Sequence, residues 1–136
     1  MDERTSRVAS TARVRRPYVS RWVPVVGWAA LIFVLSAQPD LTFVPDQGLD
    51  FVVRKTGHMG AFGILALLLW RALAGTTDWR RPWAWAFALT ILYAASDELH
   101  QGIVASRHPS AIDVAIDATG ALIALVAVGV IRSGRS

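Results

Sequence analysis

The fold is decided by residues 22–39, WVPVVGWAALIFVLSAQP, which lie between Arg21 and Asp40. None of these 18 side chains is ionisable, and a predominantly apolar helix of about 20 residues is long enough to cross the hydrocarbon core of a bilayer. Pro24 is expected in the first turn of this helix, where a residue without an N–H is tolerated. The stretch therefore predicts a membrane-spanning helix.

A signal peptide is the alternative interpretation of this stretch, because several arginines precede it. The apolar run is longer than the core of a usual signal peptide, and Leu35 is a poor residue at three positions before a cut after Ala37. Three further apolar runs also follow in the chain. A retained span is therefore the preferred interpretation.

The three further runs are GHMGAFGILALLLWRAL at residues 57–73, PWAWAFALTILYAAS at 82–96 and IDVAIDATGALIALVAVGVI at 112–131. Each is apolar on all sides, as is typical of helices surrounded by lipid or by other helices. The sequence thus predicts an all-α membrane protein, a compact antiparallel four-helix transmembrane bundle, over residues 21–132. Residues 1–20 are expected to form an Arg-rich disordered cytoplasmic tail, and residues 133–136 a second short cytoplasmic tail.

The composition agrees with this class and excludes others. Of the 136 residues, 54% are hydrophobic and 18% are charged, which excludes a disordered or fibrous chain. Because the chain has no cysteine, disulfides, thiolate nucleophiles and cysteine-ligated metals are also excluded.

Charge is distributed unevenly between the two sides that this topology defines. With a cytoplasmic N-terminus, 11 of the 14 basic residues fall on the inner side, and the inner and outer sides carry formal charges of +8 and −4. Basic residues concentrate on the cytoplasmic side of membrane proteins. We therefore predict that both termini are cytoplasmic, and the surplus of arginine requires no nucleic-acid partner.

Several short ionisable side chains fall at the outer ends of the predicted helices: His58, Asp97, Glu98, Asp113 and Asp117. The charge-free stretches beside them are too short to cross a bilayer on their own. Unlike arginine, these short side chains cannot extend to the headgroups. We expect them to point into the bundle or into a wet cavity.

Helical spacing groups these polar residues into pairs that share a helix face, namely Lys55 with His58, Asp97 with Gln101, and Asp113 with Asp117. Gly120 and Ala124 continue the face of the third pair with small residues. Small residues at this spacing let a neighbouring helix approach closely. The two aspartates are therefore expected to face protein and not lipid.

Two blocks of the sequence resemble the VanZ-like family of small bacterial membrane proteins. They are RKTGHMGAFGILALLL at residues 54–69 and SDELHQGIVASRHPSAIDVAIDATGA at residues 96–121, and the four-helix outline extends the resemblance over residues 22–131. Two departures are visible. Arg54 stands where the family commonly has Asp before the Lys, and Arg107-His108-Pro109 replaces a more usual Pro-Gly-Arg turn.

The resemblance implies a multi-pass protein of the bacterial plasma membrane with a role at the cell envelope. The member that gives the family its name lowers susceptibility to the glycopeptide teicoplanin. That member is similar at the counterparts of Glu98, Gln101, Asp113 and Gly120, and it lacks the pair Lys55 and His58. A role for the carboxylates is thus better supported by the resemblance than a role for that pair.

The first functional hypothesis is a polar site on the outer face that binds or processes an anionic envelope or lipid-headgroup ligand, with a contribution to teicoplanin-type tolerance. The predicted catalytic residues are Glu98, Asp97 and His58, and the predicted ligand-binding residues are Lys55, Gln101, Arg107, Ser110, Asp113 and Asp117. The sequence leaves open whether the site is catalytic. No cofactor is predicted, and a metal held by the carboxylates and His58 remains an alternative.

The second hypothesis is a non-enzymatic membrane scaffold, or a partner-binding module, in which the same polar cluster specifies how the bundle packs. Under this hypothesis Lys55 and Arg107 are interfacial anchors, Asp113 complements the dipole of its helix, and Ser110 is the N-cap. The expected partners are the lipid bilayer, a lipid-linked or glycopeptide-related ligand and, as an alternative, a second copy of the chain. A transporter is a weaker third hypothesis, because the four short spans show no inverted repeat.

Overall fold

The computed structural model describes residues 18–38, 43–76, 79–104 and 109–135. These residues form four α-helices and no strand: α1 (Tyr18–Ser36), α2 (Gln47–Thr76), α3 (Pro82–Val104) and α4 (Ala111–Ser133). The predicted all-α class is confirmed. Arg107 and most of the predicted N-terminal tail lie outside the described residues.

The helix boundaries follow from local capping. The side chain of Asp46 accepts a hydrogen bond from the N–H of Leu49 at 2.8 Å, so α2 begins at Gln47, well before the apolar run at residue 57. Pro82 opens α3, as is common at a first helical position. Ser110 is the N-cap of α4, because its hydroxyl accepts a hydrogen bond from the N–H of Asp113. Each start is thus encoded by the residue beside it.

One boundary differs from the expectation. Pro24 lies in the interior of α1 and not in its first turn, because the helix already begins at Tyr18. Residues 18–21, Tyr-Val-Ser-Arg, precede the charge-free run, yet they extend the helix at its N-terminal end.

Within the described ranges, three helices are long and apolar enough to cross a membrane: α1, α2 and α4. The helix α3 has the same 23 residues as α4. It is less apolar because it includes two tryptophans and the acidic pair Asp97 and Glu98. A crossing by α3 therefore stays a prediction, whereas the helical bundle itself is shown.

The helix α2 is the centre of the bundle and packs against the other three, most extensively against α4. Among the described residues, α1 does not approach α4. The core along α2 includes Phe62 and Leu65, which are fully or almost fully buried, and α3 contributes the buried Thr90. The face of α4 that meets α2 is made of small residues, as the spacing predicts: Gly120 lies against the main chain of Met59.

The chain direction brings four helix ends together. Ser36 at the end of α1, Lys55 early in α2, Asp97 late in α3 and Asp113 at the start of α4 contact one another in pairs at one end of the bundle, which we call the polar end. Arginines occupy the opposite end, where Arg132 lies over the ring of Trp70. This is the antiparallel arrangement that the sequence predicts.

Candidate functional site

A cavity of about 200 Å³ opens at the polar end between α2, α3 and α4. It is lined by Phe51, Arg54, Lys55, His58, Glu98, Gln101, Asp113, Ile116 and Asp117. We call it the polar pocket. Six of the residues predicted for the site are therefore gathered around one cavity, although they come from three helices.

The first contact across the pocket joins α2 to α4. The ammonium group of Lys55 forms an ion pair with the carboxylate of Asp113, and both side chains are about one-third exposed. Lys55 also lies over the ring of Phe51, 5.4 Å from its centroid. The only lysine of the chain is thus held against a carboxylate at the mouth of the pocket.

One turn deeper, His58 faces Asp117. Nδ1 of His58 lies 3.7 Å from Oδ1 of Asp117, which is within ion-pair distance when the imidazole is protonated but too long for a hydrogen bond. Asp117 is only 5% exposed, and this oxygen has no hydrogen-bond partner among the described residues. A buried acceptor without a partner costs about 1–3 kcal/mol. Asp117 is therefore the lining residue with the strongest need for a donor.

Glu98 connects the pocket to the start of α4. Its Oε1 accepts a hydrogen bond from the N–H of Ser110 at 2.8 Å. Ser110 also caps α4 with its hydroxyl. It does not line the polar pocket, so the structure assigns it the N-cap role, and a direct contact with a ligand stays a prediction.

Asp97 lies below the pocket and not in its wall. The side chain is 2% exposed. Its Oδ1 accepts a 2.5 Å hydrogen bond from the hydroxyl of Ser36 on α1, and its Oδ2 accepts a 2.9 Å bond from the side-chain N–H of Gln101. Asp97 therefore joins α1 to α3 and orients Gln101, whose other side faces the pocket.

Asp50 was not among the residues predicted for the site, although the predicted topology puts it on the same side of the membrane. Asp50 is 3% exposed, pairs with Nε of Arg54 at 2.9 Å, and accepts hydrogen bonds from the N–H groups of Phe43 and Val44. The signal was present, because Asp50 precedes Arg54 by four residues on one helix face. The carboxylate partner of Arg54 therefore lies one turn earlier on the same helix, and Asp50 itself does not line the pocket.

Ser36 is a second missed residue, since a lone hydroxyl at the end of an apolar run gives little signal. His100 is a third. Its ring stacks on Phe33 of α1 with centroids 4.1 Å apart, and its Nε2 is buried without a hydrogen-bond partner among the described residues. Both residues connect α1 to the end of α3.

The metal alternative receives no support from the described residues, in which no three His, Asp or Glu side chains are grouped as ligands. The carboxylates are instead divided among separate partners: Asp50 with Arg54, Asp113 with Lys55, and Asp117 beside His58.

The fold and the site together define a small helical membrane protein with a polar, ionisable pocket at one end of its bundle. The chain belongs to the VanZ/LLP1 family, whose model matches residues 3–132. The resemblance read from the two sequence blocks is thus confirmed. Neither a curated protein nor a solved structure matches the chain significantly.

Proposed function

We propose that this protein binds the anionic headgroup of an envelope lipid in the polar pocket. The observation that carries the proposal is the lining of the cavity: basic groups of α2 and carboxylates of α3 and α4 surround one space of about 200 Å³. Sites for whole drug-sized ligands have volumes of ~300–1,000 Å³. The size of this pocket supports a headgroup as its occupant and argues against an entire glycopeptide.

The donors available to an anion come from α2. An ammonium group has three N–H donors. Lys55 directs part of this capacity to Asp113, and because its side chain is partly exposed, the remaining donors are accessible to an anion. Arg54 meets Asp50 through Nε, and a guanidinium group carries further donors on its two other nitrogens. These two side chains are proposed to bind a phosphate oxygen, together with Arg107, which lies outside the described residues.

The acceptors of the pocket indicate that the headgroup also carries hydrogen-bond donors. Asp117 lacks a partner for its buried oxygen, and Glu98 uses Oε1 for Ser110. A hydroxyl or amino group next to the phosphate would satisfy Asp117. If the ligand is also processed, Glu98 and His58 are the lining residues proposed to transfer protons. Asp97 is not proposed for this role, because it does not line the pocket and its two oxygens accept hydrogen bonds from Ser36 and Gln101.

We place the pocket on the outer face of a bacterial plasma membrane, with both termini in the cytoplasm. The charge distribution supports this orientation, because Arg21 of α1, Arg71 of α2 and Arg132 of α4 lie at the end opposite the pocket. From this side a bound envelope lipid would connect the protein to glycopeptide tolerance, which is the association of the family's name member.

The second candidate is a scaffold without a ligand. It is favoured by a specific observation, namely that Lys55 and Arg54 each already have a carboxylate partner within the chain. Such pairs can serve to specify helix packing. The two candidates predict different results when a charge in the pocket is removed. A binding site is expected to keep its fold, whereas a scaffold is expected to lose stability.

Binding can be tested directly on the purified protein in detergent. Thermal melting is measured with inorganic phosphate, with glycerol phosphate and with dioleoylphosphatidylglycerol, using chloride at equal ionic strength as the control. The proposal expects stabilisation by the phosphate compounds in the native protein and its loss in Lys55→Gln. A native protein whose melting none of these compounds raises would favour the scaffold.

A further inference from the structure

A second cavity lies beside the polar pocket, between α1 and α2. It has a volume of about 500 Å³ and is lined mostly by apolar side chains and by glycines, including Trp28, Leu31, Leu35, Gly57, Gly60 and Ile64. We call it the apolar groove. Its volume lies within the range of small-molecule sites.

The apolar groove opens sideways, toward the surface that a bilayer would cover. Leu31, Leu35 and Ile64 on its two walls are 44%, 51% and 42% exposed. They belong to the two helices α1 and α2, both of which are apolar enough to cross a membrane. The groove is therefore accessible from the hydrocarbon region and not only from water.

The groove and the pocket are adjacent and share part of their lining. Arg54, His58 and Gln101 line both cavities. At this junction the lining changes from aliphatic side chains to a guanidinium, an imidazole and an amide within the length of one helical turn of α2. An occupant of both cavities would have to be apolar along one part and polar at its end.

We propose that the ligand of this protein is a membrane lipid whose hydrocarbon chain lies in the apolar groove while its phosphate headgroup occupies the polar pocket. This inference rests on the headgroup binding proposed above and adds the lipid class and the route of entry, which is lateral from the bilayer. A second protein helix would fit the groove less well, because the groove ends at ionisable side chains and not at a continuing apolar face.

Gly60 offers a sharp test. A Cβ atom at Gly60 would meet no other atom within 4 Å, so Gly60→Leu projects a side chain toward the groove without a clash of its first carbon. Gly129 on α4 is equally unobstructed and lines neither cavity. Both changes replace a helical glycine by a good helix former, so neither is expected to lower the melting temperature. Gly129→Leu is therefore the matched control.

The experiment measures binding of dioleoylphosphatidylglycerol to the full chain in detergent by native mass spectrometry, with dioleoylglycerol as a lipid of the same chains without phosphate. Gly60→Leu is expected to weaken phosphatidylglycerol binding roughly ten-fold or more, as when about two methylene groups lose their burial. Gly129→Leu should bind like the native protein. Lys55→Gln should also weaken binding, since it removes the cation for the phosphate.

The outcomes separate the two proposals. If Lys55→Gln weakens binding and Gly60→Leu does not, the apolar groove holds no chain and this inference is overturned while headgroup binding stands. If Lys55→Gln has no effect, or dioleoylglycerol binds equally well, headgroup binding itself fails and the inference fails with it. If Gly60→Leu changes only the oligomeric state, the groove is an interface between copies of the chain and the inference is again overturned.

Discussion

Gly120 of α4 lies directly against the main chain of Met59 of α2, so close that a Cβ atom at position 120 would overlap the Met59 carbonyl group. This contact sets the distance between the two helices that carry Lys55 and Asp113. We expect Gly120→Ala to destabilise the protein by about 1–3 kcal/mol, because backbone atoms cannot move aside as a flexible side chain can. Gly129→Ala has open space and should melt at the native temperature or slightly above it. Detergent melting of both variants decides the matter, and equal melting would contradict close packing at Gly120.

The hydroxyl of Ser36 supports Asp97 from another helix. Ser36→Ala removes this donor and leaves Oδ1 of a carboxylate that is 2% exposed without its partner on α1. We expect a loss of stability of about 1–3 kcal/mol. Ser96→Ala is the matched control, because Ser96 is exposed and bonds only the carbonyl of Tyr93 in its own helix. If both variants melt alike, the bond to Ser36 contributes nothing to stability.

The charge of Glu98 can be removed without removing its hydrogen bond. In Glu98→Gln the side-chain oxygen still accepts a hydrogen bond from the N–H of Ser110. The variant is therefore expected to insert into the membrane and to have a free energy of unfolding within about 1 kcal/mol of the native value. Glu98→Ala loses the acceptor and should be less stable than Glu98→Gln. A functional site predicts that Glu98→Gln loses the envelope phenotype while its level in the membrane is unchanged. Early melting and clearance of Glu98→Gln would favour the scaffold.

Asp113→Asn tests the ion pair with Lys55. The side chains of Lys55 and Asp113 are each about one-third exposed. The contribution of their ion pair to the free energy of unfolding is therefore expected to be small, up to about 1 kcal/mol. Removal of the carboxylate frees the ammonium group for an anion. Phosphate affinity of Asp113→Asn should therefore rise, measured as a larger thermal shift with inorganic phosphate than in the native protein. An unchanged shift would show that Lys55 does not contact the anion.

Orientation can be measured by cysteine labelling, because the native chain has no cysteine. Asp46→Cys lies just before α2 at the polar end, and Gly134→Cys lies just after α4 at the opposite end. With intact cells, an impermeant maleimide should label Asp46→Cys and should label Gly134→Cys only after lysis. Labelling of Gly134→Cys in intact cells would reverse the proposed topology.

Much of the architecture could be predicted because bilayer thickness limits the length of an apolar helix. Helical periodicity then placed Asp113 and Asp117 on the same face as Gly120, and the close contact with Met59 agrees with that prediction. The turns of α2 that precede Lys55 were not anticipated, because Asp50 and Arg54, followed by Lys55, interrupt the apolar pattern. Each of these three charges has a partner of opposite charge. Helical periodicity reveals the pair of Asp50 and Arg54, which lie on one helix. It does not reveal the partner of Lys55, because that partner lies on α4.

The contacts between helices were harder to predict. Nothing in the sequence near Ser36 shows that it meets Asp97, since the two are 61 residues apart. Likewise the bonds that Trp28 and Tyr93 donate to main-chain carbonyls of Ala61 and Ala29 depend on the rotation of α1, which no local pattern encodes. Asp97 consequently looked like a pocket residue, although its neighbour Glu98 is the one that reaches the cavity.

The pairing of Lys55 with Asp113 and of Glu98 with Ser110 has a consequence for biogenesis. Translation delivers the helices in chain order, so α2 and α3 are complete before α4, which carries their partners, has left the ribosome. An uncompensated charge at the membrane boundary is unfavourable. When α4 packs into the bundle, Lys55 and Glu98 both gain their partners. The last of the four helices to be synthesised thus closes the pocket, and a nascent chain arrested before α4 would hold Lys55 and Glu98 without these partners.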